Sequence, residues 1–462
     1  MTAVSDRPKD HFLLHINLMF LSQAFSYGLA FLLRVVLARG LGDDGLGTYS
    51  LFYLSVLIAG GLANLGLGLS NVYYLNRGAY RIEQLLAGSL TVVLGTGVLA
   101  TLAMLAYAAV AGPQLFVPGP SYWLYAPAVT ILVGYLVLVS FLHGRSRFLA
   151  MLVVATAQGL VAVVAAALLW AWGRLDIHGA VYAWVGSFLL ADVLALLLVA
   201  PWRLSWRGAF SRLSLVLSDQ VRYGLQGQVA NIVQMFNYRL DQYLVAAFVS
   251  RAAVGQYVVA VGLAESVWWL AAAVAIVLQP RLTRMPRREA EALTPVVCRH
   301  TTLASALVAL GLALAAPLLV PLVFGEQFSG SVRPLVLLLP GVLAASASRI
   351  LGSYFFSQGK LIYHTYSITA AFVATLLLDL ALIPWLAVDG AAIASSLAYT
   401  VGLLSALYWY RRLSSRPLRD LLVIGRGDLA FYSRLWRGLW EGGLLLWPNR
   451  SLNASARART RK

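Results

Sequence analysis

The chain has 462 residues, of which 60% are hydrophobic and only 11% are charged. A soluble domain carries about a quarter of its residues as charged side chains, so this composition excludes a water-soluble enzyme and indicates a membrane protein. The 35 lysines and arginines outnumber the 18 acids and give a net charge of +17, but they lie in short gaps between apolar runs, which indicates membrane orientation and not a nucleic-acid partner.

The apolar runs predict an all-α, polytopic membrane protein. A helix needs about 20 mainly apolar residues to cross roughly 30 Å of hydrocarbon while it satisfies its own backbone hydrogen bonds. Twelve runs of that length occur, and we expect two six-helix lobes. The predicted spans are 13–37, 47–70, 84–109, 121–142, 149–171, 179–200, 224–248, 255–278, 301–323, 334–357, 363–386 and 389–410.

The basic residues predict the orientation, because lysine and arginine near helix ends are retained on the cytoplasmic side. With the N-terminus inside, 28 of the 35 lysines and arginines fall in inside segments, and only Arg39, Arg174, Arg251 and Arg333 fall in outside loops. Both termini are therefore expected in the cytoplasm. All outside loops are short, so no outer domain is available to house a catalytic site.

The two halves of the sequence show an internal repeat. Residues 37–51 align with residues 245–259, 208 positions further on, and this places Gly47 opposite Gly255 and Tyr49 opposite Tyr257. Two six-helix halves that both start inside are related by an axis along the membrane normal, as in parallel-repeat transporters. We expect an N-terminal lobe over residues 1–200, a C-terminal lobe over residues 224–412, and a substrate pathway between them.

Two segments outside the lobes have an amphipathic pattern. Residues 201–223 predict a cytoplasmic amphipathic linker, with aromatic and leucine residues on one helical face and arginines off it. Residues 413–462 predict a basic cytoplasmic tail. Within the tail, residues 421–447 are either an interfacial amphipathic helix, which we favour, or a thirteenth span, because several glycines weaken this segment as a spanning helix.

Several motifs occur in an order that is typical of one family. The first half carries LARGLGDDGLGTYSLF at 37–52 and LANLGLGLSN at 62–71. The second half carries RLD at 239–241, VGQY at 254–257, QPR at 279–281, FG at 324–325, PG at 340–341 and DGAA at 389–392. Over residues 12–412 the chain thus resembles the polysaccharide-biosynthesis (O-antigen repeat-unit) flippases of the multidrug, oligosaccharidyl-lipid and polysaccharide exporter superfamily.

This resemblance implies a flippase that moves a polyprenyl-diphosphate-linked oligosaccharide across the bacterial inner membrane. The product would serve O-antigen, capsule or exopolysaccharide synthesis, and the partners would be this lipid, the bilayer and other polysaccharide-assembly membrane proteins. The family has no strict catalytic signature to transfer. An enzyme is not expected, and no cofactor or metal site is predicted, since the single cysteine, Cys298, also excludes a multi-cysteine site.

Polar side chains inside predicted spans identify candidate substrate contacts, because such groups are costly in lipid and should face protein or water. An arginine can bind a diphosphate through two parallel hydrogen bonds. For Arg239 the alternative is a buried ion pair with Asp241 or Glu265, and for Arg34 it is a structural role near a helix end. The candidates are Arg239, Arg349, Arg34, Asn231, Gln234 and Gln23.

Four acids lie within spans, namely Asp192, Asp241, Glu265 and Asp379. Intramembrane carboxylates commonly bind a coupling proton or cation, and they equally neutralise arginines. Asp241 and Glu265 are the first coupling-ion candidates. Two functions compete with the flippase: a multidrug or cation antiporter of the same superfamily, and a membrane-embedded polysaccharide polymerase or ligase.

Overall fold

The structure is a computed structural model that describes residues 7–111, 125–199 and 206–422, and within these ranges the ordered elements are helices without any strand. A 3₁₀ turn, Glu326–Ser331, precedes the tenth α-helix. The α-helices are α1 (Arg7–Ala63), α2 (Leu67–Arg77), α3 (Ile82–Ala111), α4 (Tyr125–Gly144), α5 (Phe148–Ala171), α6 (Ile177–Val199), α7 (Leu213–Phe248), α8 (Arg251–Arg284), α9 (Arg287–Phe324), α10 (Val332–Ser357), α11 (Leu361–Leu413) and α12 (Arg419–Leu422).

The twelve predicted passes are accounted for by ten long helices. Nine helical segments of the described ranges are long and apolar enough to cross a membrane. Two of them contain a break, at Gly42 (φ 73°) in α1 and at Ala387 (φ 50°) in α11, so each makes two passes. The remaining pass is α7, which is long enough to cross a membrane but has too many polar residues to be among those nine apolar segments. The predicted all-α fold is thereby confirmed.

Two boundaries differ from the sequence-based expectation. The second predicted span, 47–70, is interrupted after Ala63, because Leu65 and Gly66 both adopt positive φ and the chain restarts as α2. The predicted linker, 201–223, is helical from Leu213 and forms the first turns of α7. The predicted tail segment 421–447 lies almost entirely outside the described residues.

Helix α7 packs against both lobes. Its first half lies on α2 and α3, where the Gln220 amide donates to Asn71 Oδ1 at 2.8 Å. Its second half lies on α11, where Asn237 Oδ1 accepts a hydrogen bond from the Thr375 hydroxyl at 2.8 Å. We expected the C-terminal lobe to begin at residue 224, but this residue lies inside a continuous helix that joins the lobes.

The largest contact between the lobes is made by α1 and α8. A Cβ on Gly47 would lie 1.9 Å from the carbonyl oxygen of Arg251, and a Cβ on Gly255 would lie 2.0 Å from the carbonyl oxygen of Asp43. Gly47 and Gly255 are repeat-equivalent, and so are Asp43 and Arg251, which means that one backbone contact occurs twice. We call this end of the bundle the Gly47 end and the opposite end, which carries Arg77, the basic end.

Replacing Gly47 or Gly255 by alanine is expected to push α1 and α8 apart, because each added methyl group would overlap a backbone oxygen. We expect a lower unfolding temperature of the purified protein in detergent for each single variant. The matched control is Gly186→Ala, since a Cβ there has no heavy atom within 4 Å and alanine favours a helix interior by up to about 1 kcal/mol. An unchanged unfolding temperature in both variants would contradict the contact.

Candidate functional site

The two lobes are joined by polar contacts at the Gly47 end. Arg251 at the start of α8 lies 3.5 Å from Asp44 of α1, and the Gln256 amide donates to Asp43 Oδ2 at 3.2 Å. Arg39, which we expected in an outside loop, donates through Nε to the Val323 carbonyl oxygen at 2.7 Å and so caps the last turn of α9. These contacts close the space between the lobes at this end.

Two cavities lie beside the α1–α8 contact, where we had expected a single cleft. The larger has a volume of about 540 Å³ and lies between α1, α7, α8, α10 and α11. The smaller has a volume of about 230 Å³ and lies between α1, α5, α6, α7 and α8. We call them the Arg349 cavity and the Arg34 cavity after the arginines that line them, and they share no lining residue.

The predicted substrate contacts are divided between these cavities. Gln23, Gln234 and Arg349 line the Arg349 cavity, whereas Arg34 and Arg239 line the Arg34 cavity. Asn231 lines neither; its amide is 3.5 Å from Gln228 on the same helix. Five of the six candidates predicted from the sequence therefore line a cavity, and they are divided between two sites.

A partly buried ion pair borders the Arg34 cavity. Arg239 Nη1 lies 2.8 Å from Glu265 Oε1, and the two side chains are 26% and 17% exposed. The guanidinium group of Arg34 lies against the backbone of Gly262, one turn before Glu265 on α8, and a Cβ on residue 262 would overlap it. The carboxylate of Glu265 attracts Arg34 electrostatically. Glu265 thus pairs directly with Arg239, which is one of the two ion pairs that the sequence had left open for Arg239, and it attracts Arg34 from a greater distance.

The Arg349 cavity places an arginine among aromatic rings. The guanidinium carbon of Arg349 is 5.6 Å from the centre of the Trp268 ring, a cation–π distance. The Tyr238 hydroxyl lies near the same guanidinium group. Tyr27 of α1 stacks on Trp269 with ring centres 4.6 Å apart, so both lobes contribute to the wall.

Asp241 of α7 and Asp379 of α11 are both buried, and they lie close enough to interact electrostatically. Asp241 accepts hydrogen bonds from the Tyr257 hydroxyl at 2.6 Å, from the Ser395 hydroxyl at 3.3 Å and from the backbone of Gln242 at 2.8 Å. Asp379 is fully buried; both of its carboxylate oxygens are without a partner in the described part of the chain, and it interacts electrostatically with Asp241. Glu265, the other coupling-ion candidate, does not belong to this pair; it forms the ion pair with Arg239.

One functional candidate was missed. His364, at the start of α11, lines the Arg349 cavity close to Arg349, and its Nδ1 atom is buried without a described partner. Only arginines and acids had been considered as ionisable residues within spans. A survey that included histidine would have found it, because His364 lies within the predicted span 363–386.

Comparison with known proteins places the sequence in a family. The family model described as "Polysaccharide biosynthesis protein" matches residues 15–286, which is more than half of the chain. This match confirms the resemblance seen in the sequence motifs. No curated protein matches the sequence.

Solved structures share the fold over most of their length. An inward-facing multidrug resistance MATE family transporter of the MOP superfamily is 16% identical, with a TM-score of 0.70 and coverage of 86% of this chain and 98% of that one. The lipid II flippase MurJ in an inward closed conformation is 12% identical, with a TM-score of 0.68 and coverage of 87% and 89%. An outward-facing MATE family transporter is 16% identical, with a TM-score of 0.60 and coverage of 86% and 94%.

Glu265→Gln and Arg239→Gln should each destabilise the protein by ~2 kcal/mol, because removing one partner leaves the other charge buried and unpaired. The double variant should lose less than the sum of the two single losses. The measurement is a double-mutant cycle on thermal unfolding in detergent.

The exposed pair Arg333 and Asp389, 3.0 Å apart, supplies the matched control cycle. Because the Arg333 side chain is 81% exposed, its coupling should stay below about 1 kcal/mol. Additive losses at Arg239 and Glu265 would show that their contact carries no coupling.

Proposed function

We propose a function from one premise: the chain belongs to the family of polysaccharide biosynthesis proteins. We propose that it is a flippase that carries a polyprenyl-diphosphate-linked oligosaccharide repeat unit across the bacterial inner membrane by alternating access. The cargo would be used for O-antigen, capsule or exopolysaccharide synthesis. The observation that carries this proposal is the pair of arginine-lined cavities between two lobes that are closed against each other at the Gly47 end.

The chemistry of the cavities fits a cargo with a polar, anionic head and an apolar tail. Arginine and amide side chains inside an apolar bundle offer hydrogen bonds that lipid cannot supply, so the head is moved without exposure to hydrocarbon. The fold shared with a lipid II flippase supports a lipid-linked cargo. The proposed head-group contacts are the five candidates that line a cavity, namely Arg239, Arg349, Arg34, Gln234 and Gln23.

Transport requires the closed end to open and the other end to close. The contacts to be broken are the Gly47–Gly255 backbone contact and the Asp44–Arg251 ion pair, both of which join α1 to α8. We place the basic end and both termini in the cytoplasm, in agreement with the distribution of arginine and lysine. Other membrane proteins of polysaccharide assembly would receive the cargo on the outer side.

The buried acids provide a site for a coupling ion. We propose that Asp241, together with Asp379, binds a proton or Na⁺, because two carboxylates that share a buried space are stabilised when a cation neutralises one of them. Glu265 is the weaker candidate, since Arg239 already neutralises it at 2.8 Å. The cation would bias the position of α7 relative to α11.

The competing function is a multidrug or cation antiporter. The fold shared with multidrug resistance transporters favours it. The charges of the cavities oppose it, because Arg34, Arg239 and Arg349 line the walls and would repel a cationic drug. A resistance assay in drug-sensitive cells that express the protein distinguishes the two functions.

Deletion of the gene in its bacterium is expected to remove one surface polysaccharide and to cause its lipid-linked repeat unit to accumulate in the inner leaflet. Lipid extraction with mass spectrometry identifies the accumulated species, and an expressed wild-type copy is the control that restores export. Unchanged surface polysaccharide together with acquired drug resistance would replace the flippase by the antiporter.

Asp241→Asn and Asp379→Asn are each expected to abolish the stimulation of transport by an imposed proton or Na⁺ gradient in proteoliposomes, because the cation then loses a carboxylate. The control is Asp192→Asn on α6, an embedded acid of the other lobe. Gradient stimulation that survives in both Asp241 and Asp379 variants would remove this pair from coupling.

A further inference from the structure

The embedded arginines differ in whether an acid neutralises them. Arg239 forms an ion pair with Glu265 at 2.8 Å, and Arg34 packs against Gly262, one turn before Glu265 on α8, where the same carboxylate attracts it. Arg349 has no acidic partner within 4 Å among the described residues; its partners are an aromatic ring, at 5.6 Å, and a tyrosine hydroxyl. An arginine inside an apolar bundle without a counter-charge is costly unless water or an anion reaches it.

The wall next to Arg349 holds a second group with unused hydrogen-bonding capacity. The Nδ1 atom of His364 is buried and has no described partner, and Arg349 acts on the His364 ring electrostatically. The His364 ring can approach α10 closely because residue 352 is a glycine; a Cβ there would lie 3.0 Å from the ring. A buried polar atom without a partner indicates a missing water or ligand at this position.

The mouth of the Arg349 cavity is apolar and lies toward the basic end. Ile276, Phe356 and Leu361 line it and are 44%, 47% and 50% exposed. A shallower depression shares Ile276 and Phe356 with the cavity and continues along α8 to Arg284. The space is therefore cationic in its interior, at Arg349, and lined by apolar side chains on the side nearer the basic end.

From these observations we infer that the Arg349 cavity is the subsite for the diphosphate of a lipid diphosphate. Arg349 contacts the phosphate oxygens through its planar guanidinium group, His364 is the second donor, and the tail leaves between Ile276 and Phe356. The volume of about 540 Å³ also accommodates the first sugar. We do not assign Arg34 and Arg239 to the phosphates, because Glu265 pairs with Arg239 and attracts Arg34.

This subsite rests on the proposed function and narrows its list of head-group contacts. The shared ligand chemistry is a diphosphate, which is present both in a lipid headgroup and in free pyrophosphate. The test is calorimetric titration of the purified full-length protein in detergent with three probes: geranylgeranyl diphosphate, inorganic pyrophosphate and uncharged geranylgeraniol.

The wild-type protein should bind geranylgeranyl diphosphate more tightly than either of the other probes. Arg349→Gln should weaken this binding by about 10- to 100-fold, as expected for loss of hydrogen bonds to a charged group. His364→Gln should weaken it by about 3- to 10-fold, as expected for one hydrogen bond. The control Arg174→Gln removes an exposed arginine of the loop between α5 and α6 and should leave binding unchanged.

Three results would overturn the subsite. Binding that is retained in Arg349→Gln but lost in Arg239→Gln would move the diphosphate to the Arg34 cavity. Equal affinity for pyrophosphate and for the lipid diphosphate would make the site one for free diphosphate. Absence of binding by the folded wild-type protein would reject the subsite, whereas the flippase function itself fails only if gene deletion leaves surface polysaccharide unchanged.

Discussion

The cost of placing a charge in an apolar bundle determines how this protein is built. Three embedded ionisable groups of the described chain are accommodated in three different ways. Glu265 neutralises Arg239, hydrogen bonds from Tyr257 and Ser395 hold Asp241, and a cavity of about 540 Å³ surrounds Arg349. At Arg349, which has no acidic partner within 4 Å among the described residues, the cavity offers space for a ligand.

Helix α7 connects the two lobes and also carries some of these embedded charges. Gln220 fastens its first half to the N-terminal lobe, and Asn237 and Asp241 fasten its second half to the C-terminal lobe. Asp241, a coupling-ion candidate, and Arg239, which lines the Arg34 cavity, lie on the same turn of α7. Any movement of one lobe against the other must therefore pass through the helix that carries the ion and the charge pair.

Sequence periodicity and composition predicted most of the fold, because a spanning helix must be long and apolar wherever it packs. The prediction was less successful where a tertiary contact decides the outcome. The turn at Leu65 and Gly66 and the start of α7 at Leu213 depend on packing that hydropathy does not encode. In the site, residue type identified Arg34, Arg239 and Arg349, but only the spatial arrangement shows that Glu265 serves the first two and that His364 accompanies the third.

The repeated glycine contact also bears on how the two halves were able to diverge. Gly47 and Gly255 each touch the backbone of the opposite lobe, and a peptide carbonyl is the same whatever side chain its residue carries. Asp43 and Arg251 occupy equivalent places in the repeat and yet bear opposite charges. The ion pair beside this contact, Arg251 with Asp44, has no counterpart in the repeat, because Ala252 occupies the place equivalent to Asp44. A backbone contact can thus stay symmetric while the side chains around it become asymmetric.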